Sequence, residues 1–194
     1  MDIVKAIAID SVDELSAPLK LYAEEYILQD KKFPARCDVY FQKDIVATIL
    51  LPPTDPETFE EAISRIAWAT STLNGTHLVF SHRAEIAISS TLSQEDLEEM
   101  STPCLCIYQV SFLSVHSAVY PYTRIQDSSV VEWSENSPEF SPIETSEMLQ
   151  TALYLACQVN TSLIDPYMYV EFLRHNGYEV TFHAPYTNLN FAYQ

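Results

Sequence analysis

The sequence predicts one α+β domain over residues 1–194, built on a mixed, mostly antiparallel sheet of five to seven strands with helices packed mainly on one side. Two observations carry this. Some segments repeat apolar residues at every second position, as a half-buried strand does, and others at the spacing of a helix face. The two kinds also alternate: residues 37–115 read strand, helix, strand, helix, strand, and a hairpin, two helices and a final strand follow. The length suits one core of ordinary size that needs no disulfide or metal to hold it.

The elements follow in order. Ser11–Glu14 reads S-x-x-E, a capping box whose two side chains satisfy free N–H groups at a helix start. Leu15, Leu19, Tyr22, Ala23, Tyr26 and Ile27 then predict a helix over about 12–29, with Pro18 tolerated near its start or splitting off a first turn. Val39, Phe41, Ile45, Ala47, Ile49 and Leu51 alternate with more polar residues, as one long strand or as a hairpin broken at Lys43-Asp44. A second capping box at Thr54–Glu57 opens a helix whose face carries Phe59, Ala62, Ile63, Ile66, Thr70 and Leu73, and which stops at Asn74-Gly75.

Residues 76–88 alternate cleanly. Leu78, Phe80, His82, Ala84, Ile86 and Ile88 share one face, and His77, Ser81, Arg83 and Glu85 share the other, which reads as polar. Ser93 opens a short acidic helix that ends before Pro103, and the run Cys104–Val115 is apolar on both faces, as in a central strand. Residues 118–125 and 129–133 predict a hairpin. The Ser- and Pro-rich stretch 134–142 is a loop or sub-boundary that feeds a helix capped at Ser141. Asp165-Pro166 starts the last helix, Asn176-Gly177 ends it, a strand covers 178–183, and residues 184–194 form an uncharged tail, docked or extended.

Charge and glycine usage limit the function. The chain carries 27 acidic and 10 basic residues, a net charge of −17, and has no lysine after Lys43. Such a surface repels phosphates, so no direct nucleic-acid binding is expected. Gly75 and Gly177 are the two glycines, so a GxGxxG turn, a Walker A loop and a GxSxG elbow are all out of reach. No apolar run approaches the roughly 18 residues of a membrane span. No secretory leader is evident, and cysteines at 37, 104, 106 and 157 suit a reducing compartment, so the expected location is cytoplasmic, or host-cytoplasmic for a viral chain.

Candidate chemistry is thin. His82, on an apolar strand face, reads as a core histidine with one hydrogen-bond partner. A hydrolytic metal site from His77, Glu85, His116 or His183 would need distant residues to converge, since no ligand spacing supports it. A nucleophilic Cys104 or Cys106 working with His116 is disfavoured because an apolar run raises a thiol pKa. The acidic pairs fall on helix faces opposite apolar ones and read as solvated. No cofactor is expected.

The preferred reading is a non-enzymatic acidic interaction protein that docks onto a basic protein partner. It would be a viral or phage accessory or assembly component, or an inhibitor mimicking nucleic-acid charge. Its partner-binding candidates are Glu57, Glu60 and Glu61 on one helix, Glu95, Asp96, Glu98 and Glu99 on another, and the hairpin aromatics Tyr120, Tyr122 and Trp133. The alternatives are a metal-dependent hydrolase with scattered His and acidic ligands, and a small-ligand sensor domain.

Overall fold

A computed structural model describes residues 12–53, 56–66, 68–87, 101–111, 114–125, 129–135 and 164–183. Helix α1 (Val12–Ile27) is followed by strands β1 (Arg36–Phe41) and β2 (Asp44–Leu50), helices α2 (Pro56–Ile66) and α3 (Ala69–Thr72), and strands β3 (His77–Ala87), β4 (Ser101–Ser111), β5 (Val115–Arg124) and β6 (Val131–Trp133). Helix α4 (Pro166–His175) and strand β7 (Glu179–Phe182) follow. The strands form one sheet in the order β6-β5-β4-β3-β1-β2-β7, with every neighbouring pair antiparallel. The expected α+β fold is therefore present, with seven strands among the described residues.

Local sequence explains the turns. Residues 36–50 form a hairpin rather than one long strand, because Gln42 adopts φ 57° at the tip and lets Phe41 pair with Asp44. A bulge between Val39 and Tyr40 leaves Val46 as the extra residue of β2. The helix predicted through Leu73 breaks after Ile66 and resumes as α3; Asn74 at φ 56° then turns the chain toward β3. Asp165 caps α4, its side chain accepting from the Tyr167 N–H, and Gly177 at φ 85° follows the helix end. Pro18 lies within α1, on its exposed side, and does not end it.

The sheet is covered on both faces. Beneath α2, α3 and α4 lies the larger core, where Cys37, Val39, Ile49, Leu78, Phe80 and Tyr108 meet Ile63, Ile66, Val170 and Leu173. Two tyrosine hydroxyls clamp this layer: Tyr169 donates to the Arg65 carbonyl at 2.6 Å and Tyr178 to the Ala62 carbonyl at 2.9 Å. The Arg65 carbonyl is one of those that a helix leaves without an internal donor at its end.

On the opposite face α1 sets Leu19, Ala23 and Ile27, four residues apart, against Val79, Leu105, Ile107, Ala118, Tyr120 and Tyr122. Burial of each leucine, isoleucine or valine among them contributes about 1.5–3 kcal/mol. The β3 face expected to be polar is thus enclosed at its first half: His77 and Ser81 are buried, and the His77 ring stacks on Tyr40 with centroids 4.8 Å apart.

The helix starts at Thr54, Ser93 and Ser141, most of the 134–142 loop and the 184–194 tail lie outside the described residues. The start at Ser11 does too, although α1 begins at the next residue, Val12.

Candidate interaction surface

Among the described residues, those singled out in the sequence lie on α2 and on β5 and β6, on opposite faces of the sheet. Glu57, Glu60 and Glu61 fall on α2, where Glu61 is exposed and pairs with Arg65 one turn along. Glu95, Asp96, Glu98 and Glu99 lie outside the described residues. The hairpin aromatics are used inside the fold. Tyr120 and Tyr122 are buried under α1, and Trp133 packs on Tyr122 with ring centroids 5.2 Å apart while its indole N–H donates to Glu24 at 2.6 Å. Lys20 of α1 lies 3.9 Å above the Tyr120 ring, a cation–π contact. These rings hold α1 to β5 and β6, which is where their apolar area is spent.

The histidines are equally dispersed. His77 and Glu85 stand at opposite ends of β3, His116 is exposed on β5, and His183 follows β7. Among the described residues no three of His, Cys, Asp and Glu gather as metal ligands would. Cys104 and Cys106 share the core face of β4 with their sulfurs 3.7 Å apart. His116 pairs with Gln109, whose position on β4 puts it on the other side of the sheet from both cysteines. The contact with Cys104, then burial, holds the Cys106 thiol far above the ordinary range.

His82 sits on that same core face, packed between Phe59 and Tyr108 and stacked on the latter at 9°. Its Nδ1 lies 3.0 Å from the Arg83 carbonyl, which can only accept, so Nδ1 carries the proton. Nε2 is then a bare acceptor, buried and without a hydrogen-bond partner among the described residues. Burial lowers the pKa from 6.5 to about 4, so the ring stays neutral near pH 7.

A polar row crosses β1 and β2 on the α1 face, with Asp38 and Thr48 buried in it, and only part of it is signalled in the sequence. Arg36 donates from Nε to both Asp38 oxygens, at 3.0 and 2.8 Å, and its guanidinium lies 5.0 Å from the Tyr22 ring centre. Across the hairpin Thr48 donates its hydroxyl to Asp38 Oδ1 at 2.5 Å. That proton is spent on a carboxylate, so the Thr48 oxygen accepts from His183 Nε2 at 2.8 Å. Asp38 is 2% exposed, and its charge is tolerable there because the guanidinium and the hydroxyl replace water. The sequence signal is an acid and a base two apart on a strand, Arg36-x-Asp38, which places both on one face. The row ties the last strand to the first hairpin, and its hydrogen-bonding groups face one another, as in a structural cross-link.

Charge is arranged unevenly. All five arginines lie against carboxylates: Arg36 with Asp38, Arg65 with Glu61, Arg83 with Glu85, Arg124 with Asp30 and Arg174 with Glu171. The five lysines all precede residue 44. The surface potential over the rest of the chain is therefore set by its carboxylates.

The helix layer also exposes apolar side chains. On α4 the inner face carries Tyr169, Val170 and Leu173, while Tyr167, Met168 and Phe172 point outward at 58%, 63% and 48% exposure. Trp68, between α2 and α3 in the same layer, is exposed too. Among the described residues no helix is long and apolar enough to cross a membrane. Comparison of the chain with protein-family models, with curated proteins and with solved structures gives no match.

Proposed function

We propose that this chain is a non-enzymatic, acidic interaction protein that docks onto a protein with a basic surface. It would act in the cytoplasm, as an accessory or assembly component or as an inhibitor that imitates the charge of nucleic acid. One observation carries the reading: with a net charge of −17, every arginine is spent on an internal or local ion pair and every lysine lies in the first 43 residues. Acidic first turns that favour a helix dipole do not require this shortage of cations elsewhere. A surface dominated by one sign steers an oppositely charged partner and speeds its encounter, over a range that salt cuts to about 8–10 Å.

The test begins with affinity capture at low and high salt to obtain a partner. Surface plasmon resonance then follows association against ionic strength for the parent and for two triple variants, Glu57, Glu60 and Glu61 to Gln, and Glu95, Glu98 and Glu99 to Gln. Association should slow steeply with salt, and the triple variant on the docking side should slow it at low salt with little change in dissociation. A rate that stays flat with salt, with both variants binding like the parent, refutes the proposal.

A further inference from the structure

Single apolar residues at a surface need no account, but three within six consecutive positions of one helix do. The inner face of α4 is already served by Tyr169, Val170 and Leu173, so Tyr167, Met168 and Phe172 add nothing to the core. Met168 and Phe172, four residues apart, form one ridge. Between that ridge and Tyr167 the helix places Glu171, paired with Arg174 at 3.1 Å. Exposed His175 lies one turn beyond Glu171 on the same arc, so the outward arc is apolar with one ion pair and one imidazole set within it.

We propose that the outer face of α4 is the anchor by which this chain holds its basic partner, Met168 and Phe172 entering an apolar groove that the partner rims with lysine or arginine. The inference rests on the charge-directed docking proposed above and adds where the contact is made and what fixes it. Charge complementarity selects this occupant. A second copy would bring two chains of charge −17 together, and an anionic bilayer would meet the same repulsion. Charge would guide the encounter, and the buried aromatic and thioether would slow departure, since a few central apolar anchors dominate most interfaces.

The experiment uses the full chain and two synthetic probes: a helical peptide with leucines along one face and lysines along the other, and an equally charged peptide with glutamine in place of leucine. Binding is followed by fluorescence anisotropy at low and moderate salt. The parent should prefer the leucine peptide at least tenfold. A Met168→Gln, Phe172→Gln double variant should bind both peptides as the parent binds the glutamine one, with salt sensitivity intact. Tyr167→Ser serves as a second variant should the double one be unstable, and should lower the preference severalfold. A preference retained in variants that unfold at the parent's midpoint overturns the assignment to α4. Salt-sensitive binding of both peptides without preference in the parent also overturns it, and leaves charge-directed docking standing. Loss of all salt-sensitive binding instead removes the charge reading beneath it. A parent dimer in sedimentation, or capture by phosphatidylserine vesicles, that the double variant abolishes would assign the face to a second copy or to lipid and overturn the proposal.

Discussion

His82→Phe removes a titrating ring from the core and replaces it with an aromatic that suits the Phe59, Phe80 and Tyr108 surroundings. In the folded chain burial lowers the His82 pKa from 6.5 to about 4. Above pH 6.5 the ring is neutral in both states and its ionisation contributes nothing. Between 6.5 and about 4 the unfolded chain binds a proton that the folded one refuses, so stability falls as pH falls through that window. At about 1.4 kcal/mol per pKa unit, the loss on going from about pH 7.5 to about pH 5 is roughly 2 kcal/mol, and it levels at about 3.5 kcal/mol below the folded value. Whatever is common to parent and variant cancels in the comparison. The assay is urea unfolding followed by circular dichroism at the two pH values. The parent should lose about 2 kcal/mol more than His82→Phe between them. Equal losses would mean that the folded ring accepts a proton readily, and the enclosed, bare Nε2 would be refuted.

Three further outcomes are expected. Thr48→Val takes the hydroxyl from between Asp38 and His183 and should cost about 1.5–3 kcal/mol, the range for a hydrogen bond to a charged group, read as a lower urea midpoint. Gly75→Ala would set a Cβ 2.6 Å from Val39 Cγ1 and 3.1 Å from the Tyr40 carbonyl, so thermal unfolding should show a loss of about 1–3 kcal/mol from overpacking. Asp165→Ala removes the α4 cap and should cost about 0.5–2 kcal/mol in the same assay. An unchanged midpoint in any of these would contradict the contact that motivates it.

The sequence by itself determined most of the described elements and the placement of His82. The alternation of 76–88 puts His82 on the core face, and the structure places it there against Phe59 and Tyr108 with one hydrogen-bond partner. The Asp165-Pro166 start and Asn176-Gly177 stop bound the last helix because caps and positive-φ turns depend on a few adjacent residues. What depends on distant neighbours was not legible. Alternation shows which strand residues share a face, but it cannot show that α1 crosses to the second face and packs on Tyr120, Tyr122 and Trp133, or that His77 and Ser81 on that face are buried. The Arg36, Asp38, Thr48 and His183 row joins residues up to 147 positions apart in sequence, and only strand pairing brings them together. The exposed ridge on α4 follows the same logic: the sequence makes Met168 and Phe172 apolar, and only the docking of the opposite helix face decides that they point outward.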